Sequence, residues 1–266
     1  NTQSDVLILY PGNASPLNKC SNGLVRGNNV YGGGRRGHSQ GEGILLKNDV
    51  DNVIIEFNYV HDTNHGIGIG NRDPSYNIGR NITVRYNIVR GIFYYNGISI
   101  QPEGQGFSGT CSVDIYGNLI FDNFGFGIAV DNRLIGTTAI LNIYNNTLFL
   151  NNLDPGWIYN RYEVVFGNTN VTNYTLTFKN NLIYAGSEAL PLYDSAGEIT
   201  FHSNNLYYRS SGNLVTSGGS SYTAANIGTY EENPQTGNPS FKISSNLPTG
   251  FSGTYGVDMV PNNDGL

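Results

Sequence analysis

Apolar and polar residues alternate in short runs along the chain, and an asparagine follows most of these runs. Alternation with a period of two is typical of a β-strand with one buried face. The asparagines recur at intervals of 24 to 35 residues, which indicates a coil with a constant wall and loops of variable length. We expect them to stack as a ladder of hydrogen-bonded amides. They are Asn29, Asn58, Asn87, Asn118, Asn146, Asn181 and Asn205.

In a second pattern, a glycine is followed by an inward apolar residue, an outward residue and a second inward apolar residue. It occurs in segments 43–48, 66–71, 97–101 and 127–132. The inward residues should stack in two files, one of Ile44, Ile67, Ile98 and Ile128, the other of Leu46, Ile69, Ile100 and Val130. Val164 with Phe166, and Leu190 with Leu192, are expected to continue both files. Two strand columns per turn, separated by the asparagine corner and a variable loop, predict an all-β fold.

We therefore predict a single-stranded right-handed parallel β-helix, a solenoid of about seven or more turns, because parallel crossovers are right-handed. The repeats run over residues 22–209. Residues 1–21 form an N-terminal edge segment, and residues 210–266 change to a Ser/Gly/Thr/Pro-rich composition. Because an open parallel edge invites pairing, we expect this tail to belong to the same domain and to cap its C-terminal end.

Composition limits the kinds of partner that the protein can bind. The net charge is −6, which speaks against sequence-independent nucleic-acid binding, since that requires a basic stripe. No apolar run is long enough to span a bilayer. Low charge and many Asn, Ser, Thr and Tyr residues predict a secreted or cell-surface protein. Cys20 and Cys111 lie about three turns apart, too far for a disulfide, so we expect both to be free.

Outward side chains of the second strand column should form a shallow groove suited to a sugar chain. One file just before the strand contains Glu42, His65 and Asn96. Another at its end contains Lys47, Gln101 and Asp131, with Arg72, Glu103 and Arg133 just beyond. Rings that could stack on pyranoses belong to Tyr94, Tyr95, Phe124 and Phe126.

Segment 41–47, GEGILLK, resembles the metal-and-base segment of the chondroitinase B and alginate lyase group, polysaccharide lyases of the pectin-lyase-like superfamily. In that group a Glu five positions before a Lys binds calcium, the Lys acts as base, and an Arg lies on the next turn. The resemblance implies that Glu42 binds Ca²⁺, that Lys47 is the base, and that Arg72 or His65 is the acid. The implied substrate is an acidic, uronate-containing polysaccharide.

A second resemblance, to polygalacturonases, rests on segments 64–67 and 96–101. Those enzymes hydrolyse with paired aspartates, and this chain has Gly43-Ile44-Leu45 where the pair would stand. A lyase is therefore favoured over a hydrolase.

Three functions compete. The first is an exported protein that binds and cleaves an acidic polysaccharide by β-elimination, with Lys47, His65 and Arg72 converging on the reacting sugar. The second is a sugar-binding rod with no activity. The third is a non-catalytic structural, adhesive or filament-forming solenoid, which would assemble end to end through an uncovered N-terminal edge. On that interpretation Lys47 and Asp131 are solvated turn residues and His65 only hydrogen-bonds to backbone.

Overall fold

Three sheets wrap around one hydrophobic core, and each turn of the chain adds one strand to each sheet. A computed structural model describes residues 5–11, 20–34, 41–70, 79–101, 110–131, 135–152, 161–167, 170–187 and 189–241. Within these residues sheet 1 has nine strands, and sheets 2 and 3 have seven each. All neighbouring strands are parallel except the last pair of sheet 1.

Strand bounds follow the order of the stack. Sheet 1 contains β1 Leu7–Leu9, β4 Glu42–Lys47, β7 His65–Gly70, β10 Ile98–Ile100, β13 Ile128–Val130, β16 Tyr162–Phe166, β19 Leu190–Asp194, β22 Asn213–Ser217 and β23 Ser220–Thr223. Sheet 2 contains β2 Cys20–Arg26, β5 Val50–Glu56, β8 Gly79–Arg85, β11 Thr110–Tyr116, β14 Ile135–Tyr144, β17 Asn170–Lys179 and β20 Phe201–Ser203. Sheet 3 contains β3 Asn29–Tyr31, β6 Tyr59–His61, β9 Ile88–Arg90, β12 Leu119–Phe121, β15 Thr147–Phe149, β18 Leu182–Tyr184 and β21 Leu206–Tyr208.

The prediction of two strand columns per turn is wrong, because there are three. The strands of sheet 3 are only three residues long, too short for alternation to separate them from the preceding corner. The predicted inward files of sheet 1 are confirmed: Ile44, Ile67, Ile98 and Ile128 stand in register and are almost fully buried. Val164 continues this file.

In β19, the last strand for which these files were predicted, the register is shifted by two residues from the prediction. Leu190 pairs with Tyr162, so Leu192 continues the first file and Asp194 the second. A carboxylate is tolerated inside at this end because it is satisfied by hydrogen bonds. The donors to Asp194 are the backbone N–H groups of Gly197, Glu198 and Ile199 and the hydroxyl of Ser217.

A ladder of asparagines runs through the corner between sheets 2 and 3. In each rung the side-chain Nδ2 donates to Oδ1 of the asparagine in the next rung, at 2.9–3.0 Å. The same Oδ1 also accepts the backbone N–H of the preceding asparagine. At the C-terminal end Asn205 donates to the carboxylate of Glu231. The predicted ladder is therefore confirmed as the spine of the corner.

The prediction is wrong for one residue of the ladder. Asn28, not Asn29, donates to Asn58, and Asn29 is the first residue of β3, paired with Tyr59. The side chain of Asn29 lies outside, and its Oδ1 accepts a hydrogen bond from His61 Nε2. Each ladder asparagine stands two positions before a buried residue. In this rung the buried residue is Val30, which selects Asn28 rather than Asn29.

The C-terminal segment covers the end of the coil. Strand β23 turns back antiparallel to β22, and a 3₁₀ turn follows at Ile227–Thr229. Two isolated bridges then pair Glu232 with Ser203 and Gln235 with Leu206, over the last strands of sheets 2 and 3. Both cysteines are free, as predicted. The part of the chain that the structure describes contains no helix long and apolar enough to cross a membrane.

Candidate functional site

The outer face of sheet 1 carries a groove of about 590 Å³ across β10, β13, β16 and β19. Its floor is formed by outward residues that stand in register, namely Ser99, Ala129 and Val165. These side chains are small, whereas the inward neighbours are large and branched. The small outward residues therefore leave a depression along three rungs, which span roughly 10 Å at the spacing of parallel strands, and the ring of Tyr193 follows in the fourth rung.

Aromatic rings form one wall of the groove. Tyr95 and Phe126 lie just before the starts of β10 and β13, whereas Tyr193 continues the floor file on β19, in register with Val165. The ring of Tyr162 stacks on that of Tyr193, with centroids 4.4 Å apart and planes at 8°. Phe126 lies 6.0 Å from Tyr162 in a stacked arrangement. At the other end of the wall Tyr95 stacks on His65 at 4.0 Å.

Polar groups form the opposite rim, just after the strands end. Gln101, Asp131 and Ser195 line this side. Each of their backbone N–H groups donates to a carbonyl near the C-terminal end of the strand one rung back, that of Ile69, Ile100 or Phe166, at 2.8–3.0 Å. The rim residues are thus held in register with the floor. An aromatic wall, a small-residue floor and a polar rim together suit a ligand with one apolar face and hydroxyl edges.

The predicted end-of-strand file is confirmed. Lys47 pairs with Gly70, the N–H of Gln101 donates to Ile69 O, and that of Asp131 donates to Ile100 O. Gly70 lies in the rung between Lys47 and Gln101, so the lysine stands apart from the deepest part of the groove. The roles of Lys47, Gln101 and Asp131 stay predictions. The predicted residues Arg72, Glu103 and Arg133 lie outside the described part of the chain.

The start-of-strand file is also in place. Glu42 pairs with His65, and the N–H of Gly66 donates to Asn96 O, which sets Asn96 beside His65. The structure does not bring His65 and Lys47 together. Five residue steps along the strand separate their rung positions, roughly 16 Å. His65 is 4% exposed beneath the ring of Tyr95, whereas Asn96 faces the groove.

A carboxyl pair was missed by sequence reasoning. Asp5 Oδ1 accepts the N–H of Glu42 at 3.2 Å, although 37 positions separate the two residues in sequence. Burial, a hydrogen bond to the Asp5 side chain and the charge of Asp5 raise the pKa of Glu42 to about 8. Glu42 therefore keeps its proton at neutral pH in this arrangement.

The predicted calcium site stays a prediction. Ca²⁺ takes about six to eight oxygen ligands, largely from ionised carboxylates and carbonyls. Among the described residues, Glu42 and Asp5 lie together and supply two carboxyls. No group of three or more His, Cys, Asp or Glu side chains gathers within the described ranges to complete such a site.

The aromatic wall was only partly predicted. Tyr95 and Phe126 line the groove as expected, whereas Phe124 lines a different cavity. Tyr162 and Tyr193 were not anticipated. They stand at different register positions, since Tyr162 pairs with Leu190 at the start of β19 and Tyr193 pairs with Val165, so no repeat in the sequence marks them.

Stacked parallel sheets with an interior asparagine ladder define the chain as a parallel β-helix. No protein-family model matches it, and neither a curated protein nor a solved structure matches it. The function must therefore be argued from the chemistry of its own surface.

Proposed function

We propose that the sheet 1 groove binds a polysaccharide chain that lies along the axis of the solenoid. The observation that carries this proposal is a groove across four rungs in which aromatic rings and polar groups border a floor of small side chains. Rings of Tyr95, Phe126 and Tyr193 offer flat apolar surfaces to the C–H faces of sugars. Hydroxyl groups on the sugar edge would donate to Asp131 and Gln101, and these side chains accept such hydrogen bonds.

The proposed ligand is a uronate-containing polysaccharide. Lys47 extends the rim file toward the N-terminal rungs, and in the sequence Arg72 and Arg133 follow the ends of β7 and β13 closely. Cations at this edge would pair with sugar carboxylates that project from the groove. A protein of net charge −6 needs such local cations to hold an acidic chain.

We propose β-elimination as the reaction, on a scaffold of the pectin-lyase-like kind. The uronate carboxylate must be neutralised, a base must remove the proton on C5, and the oxygen on C4 leaves with its sugar. Lys47 is the proposed base and Arg72 the proposed cation or acid. His65 is a poor candidate for direct proton transfer, because it is buried under Tyr95 and distant from Lys47 along the strand.

Binding is tested by affinity electrophoresis of the protein in gels that contain polygalacturonate, alginate or a glycosaminoglycan. Tyr193→Ala should weaken the best of these interactions by about tenfold, or about 1.4 kcal/mol. The matched control is Phe201→Ala, which removes an equally large exposed ring from sheet 2. Equal retardation of the wild type and Tyr193→Ala on every gel would exclude this groove as the binding site.

Cleavage is tested separately by the absorbance of the unsaturated uronate product. Lys47→Ala should lower the rate by a factor of about 100 or more, since general bases contribute on that scale. If no polyuronate yields the product, the lyase part of the proposal is removed and the binding part stands on the electrophoresis.

A second candidate function is a self-associating structural rod, which one observation favours. Apolar side chains lie exposed in the first rung, where Val6, Ile8, Leu24 and Tyr31 are 45–60% accessible. Exposed apolar groups next to strand edges favour association with another chain. Sedimentation over a hundredfold concentration range tests this function. A single monomeric species throughout would reject it.

A further inference from the structure

A second cavity, of about 600 Å³, lies at the bend that leads from sheet 3 toward sheet 1. It is lined by Gly34, Asp62, Arg90, Gly91, Phe93, Asp122 and Phe124. Two residues after each phenylalanine, Tyr95 and Phe126 face the sheet 1 groove instead. We propose that this cavity is a second saccharide-binding site, which takes a neutral sugar through a pair of adjacent hydroxyl groups. The proposal does not depend on the function of the sheet 1 groove.

The two carboxylates of the cavity are held by a repeated backbone bend. Asp62, Gly91 and Asp122 occupy the same position in three consecutive rungs, with φ of 49°, 60° and 56°. Backbone N–H groups connect the rungs, since Gly91 N–H donates to Asp122 O at 3.0 Å. Aspartate tolerates this left-handed conformation better than most residues do. The backbone positions of the two aspartates are therefore fixed two rungs apart, at roughly 10 Å.

Gly91 keeps the space between these carboxylates open. A Cβ atom at this position would lie 3.4 Å from Asp62 Oδ1, so any longer side chain would extend into the gap. Because glycine has no side chain, the rung between the two aspartates places no side chain in this gap. A sugar edge with two hydroxyl groups can reach this gap and donate to a carboxylate oxygen.

Arg90 supplies hydrogen-bond donors to the same space. Its Nη2 lies 3.6 Å from Asp122 Oδ2, an ion pair too long for a good hydrogen bond. Its guanidinium also lies over the ring of Phe121, 5.5 Å from the centroid, which limits the motion of the side chain. Both charged groups consequently retain capacity to bond a sugar hydroxyl, the carboxylate as acceptor and the guanidinium as donor.

The charge balance favours a neutral ligand over a uronate. Two carboxylates face one guanidinium among the cavity-lining residues. Burial raises the pKa of Asp122, the Arg90 charge lowers it in part, and the Asp62 charge raises it again. A third carboxylate brought by the ligand would add to this repulsion. Phe93 and Phe124 complete the site with apolar surface, and their backbone N–H groups are anchored to the preceding rung at 3.0 and 2.7 Å.

Gly91→Asn tests the site with little risk to the fold. Asparagine also tolerates positive φ, and the neighbouring rungs already hold aspartates in this conformation. The new side chain would fill the gap between Asp62 and Asp122. Affinity electrophoresis is run in gels containing a soluble glucan, mannan or galactan, with polygalacturonate as the acidic probe. We expect at least one neutral polysaccharide to retard the wild type, and Gly91→Asn to lose about tenfold in affinity.

Two further variants separate the sites. Asp122→Asn keeps the size of the side chain and should also weaken the neutral probe, whereas Tyr193→Ala should leave it unchanged. The proposal is overturned if no neutral polysaccharide retards the protein, if both cavity variants bind it like the wild type, or if only Tyr193→Ala abolishes binding. If the wild type binds none of the acidic polysaccharides while neutral binding stays sensitive to Gly91→Asn, the sheet 1 proposal alone is rejected.

Discussion

The two bends on either side of sheet 3 use the same chemistry over very different lengths. Between sheets 2 and 3 seven asparagines form an unbroken ladder that ends on the Glu231 carboxylate. Between sheets 3 and 1 a second, shorter ladder runs from Asn123 through Asn151 to the Glu163 carboxylate. The Ile92 N–H donates to Asn123 Oδ1 at its start. Both ladders end on a carboxylate, which accepts bonds without offering a donor when ionised.

The two ladders differ in length because one bend has a constant number of residues and the other does not. Before every asparagine of the long ladder one residue with positive φ turns the chain, as at Gly27, Phe57 and Tyr86. The bend before sheet 1 has no fixed length: residues 62–64 join β6 to β7, whereas residues 150–161 join β15 to β16. A constant bend keeps identical side chains above one another, and a variable bend interrupts them. The variable bend is also the one beside which both proposed sugar sites lie.

The largest effect is expected in the middle of the long ladder. Asn118 is buried and donates to Val84 O, Tyr116 O and Asn146 Oδ1, while its own Oδ1 accepts from Asn87. Asn118→Ala leaves several buried backbone and amide groups unsatisfied. We expect a loss of about 3–5 kcal/mol in the free energy of unfolding, measured by denaturant titration.

Asn29→Ala is the control for this experiment. Asn29 is an exposed asparagine in a sheet 3 strand, outside the ladder, with a hydrogen bond to His61. Its removal should cost less than about 1 kcal/mol. Equal losses in the two variants would mean that the ladder does not contribute more than an ordinary surface amide.

The short ladder should give a smaller loss. Asn123 donates to Asn151 Oδ1 at 2.7 Å and only distantly to Val89 O, at 3.4 Å, and it accepts from Ile92 N–H. Asn123→Ala therefore removes fewer good hydrogen bonds than Asn118→Ala. We expect a loss of about 2–3 kcal/mol by the same titration. A loss larger than that of Asn118→Ala would contradict the ranking of the two bends.

The fold could be predicted from the sequence because the long ladder repeats a local pattern. Each ladder asparagine stands two positions before a buried residue, such as Val60 after Asn58. Where two asparagines are adjacent, as at Asn28 and Asn29, the repeat alone is ambiguous, and only this offset to Val30 selects the correct one. The sheet 3 strands escaped prediction because three residues are too few to establish a period.

The candidate site was less predictable, because it depends on register and on distant residues. Lys47, Gln101 and Asp131 follow the glycine template directly, so their alignment could be read from the sequence. Tyr193 could not be assigned, since the predicted register of β19 was displaced by two residues. Asp5 reaches Glu42 from 37 positions away, and no periodic pattern links them.

The sharpest test of the shared carboxylate ending is the dependence of stability on pH that Glu163 contributes. This side chain is fully buried and accepts the N–H and Nδ2 of Asn151. Burial raises the pKa of Glu163 from 4.5 to about 8, and the bonds from Asn151 lower it only in part. In the unfolded chain the carboxyl ionises near its ordinary pKa, so between about pH 4.5 and pH 8 the folded state binds more protons.

Stability from this group must therefore fall as pH rises through that window and level off above it. The slope contributed by Glu163 approaches about 1.4 kcal/mol per pH unit at most. Glu163→Gln keeps an acceptor for Asn151 but cannot ionise, so its stability should fall less steeply between pH 5 and pH 8. Glu42, whose pKa is also raised to about 8, acts in the same direction in both proteins and cancels in the difference. Parallel stability curves for the wild type and Glu163→Gln would mean that the short ladder ends on a carboxylate whose ionisation is the same in the folded and unfolded chains.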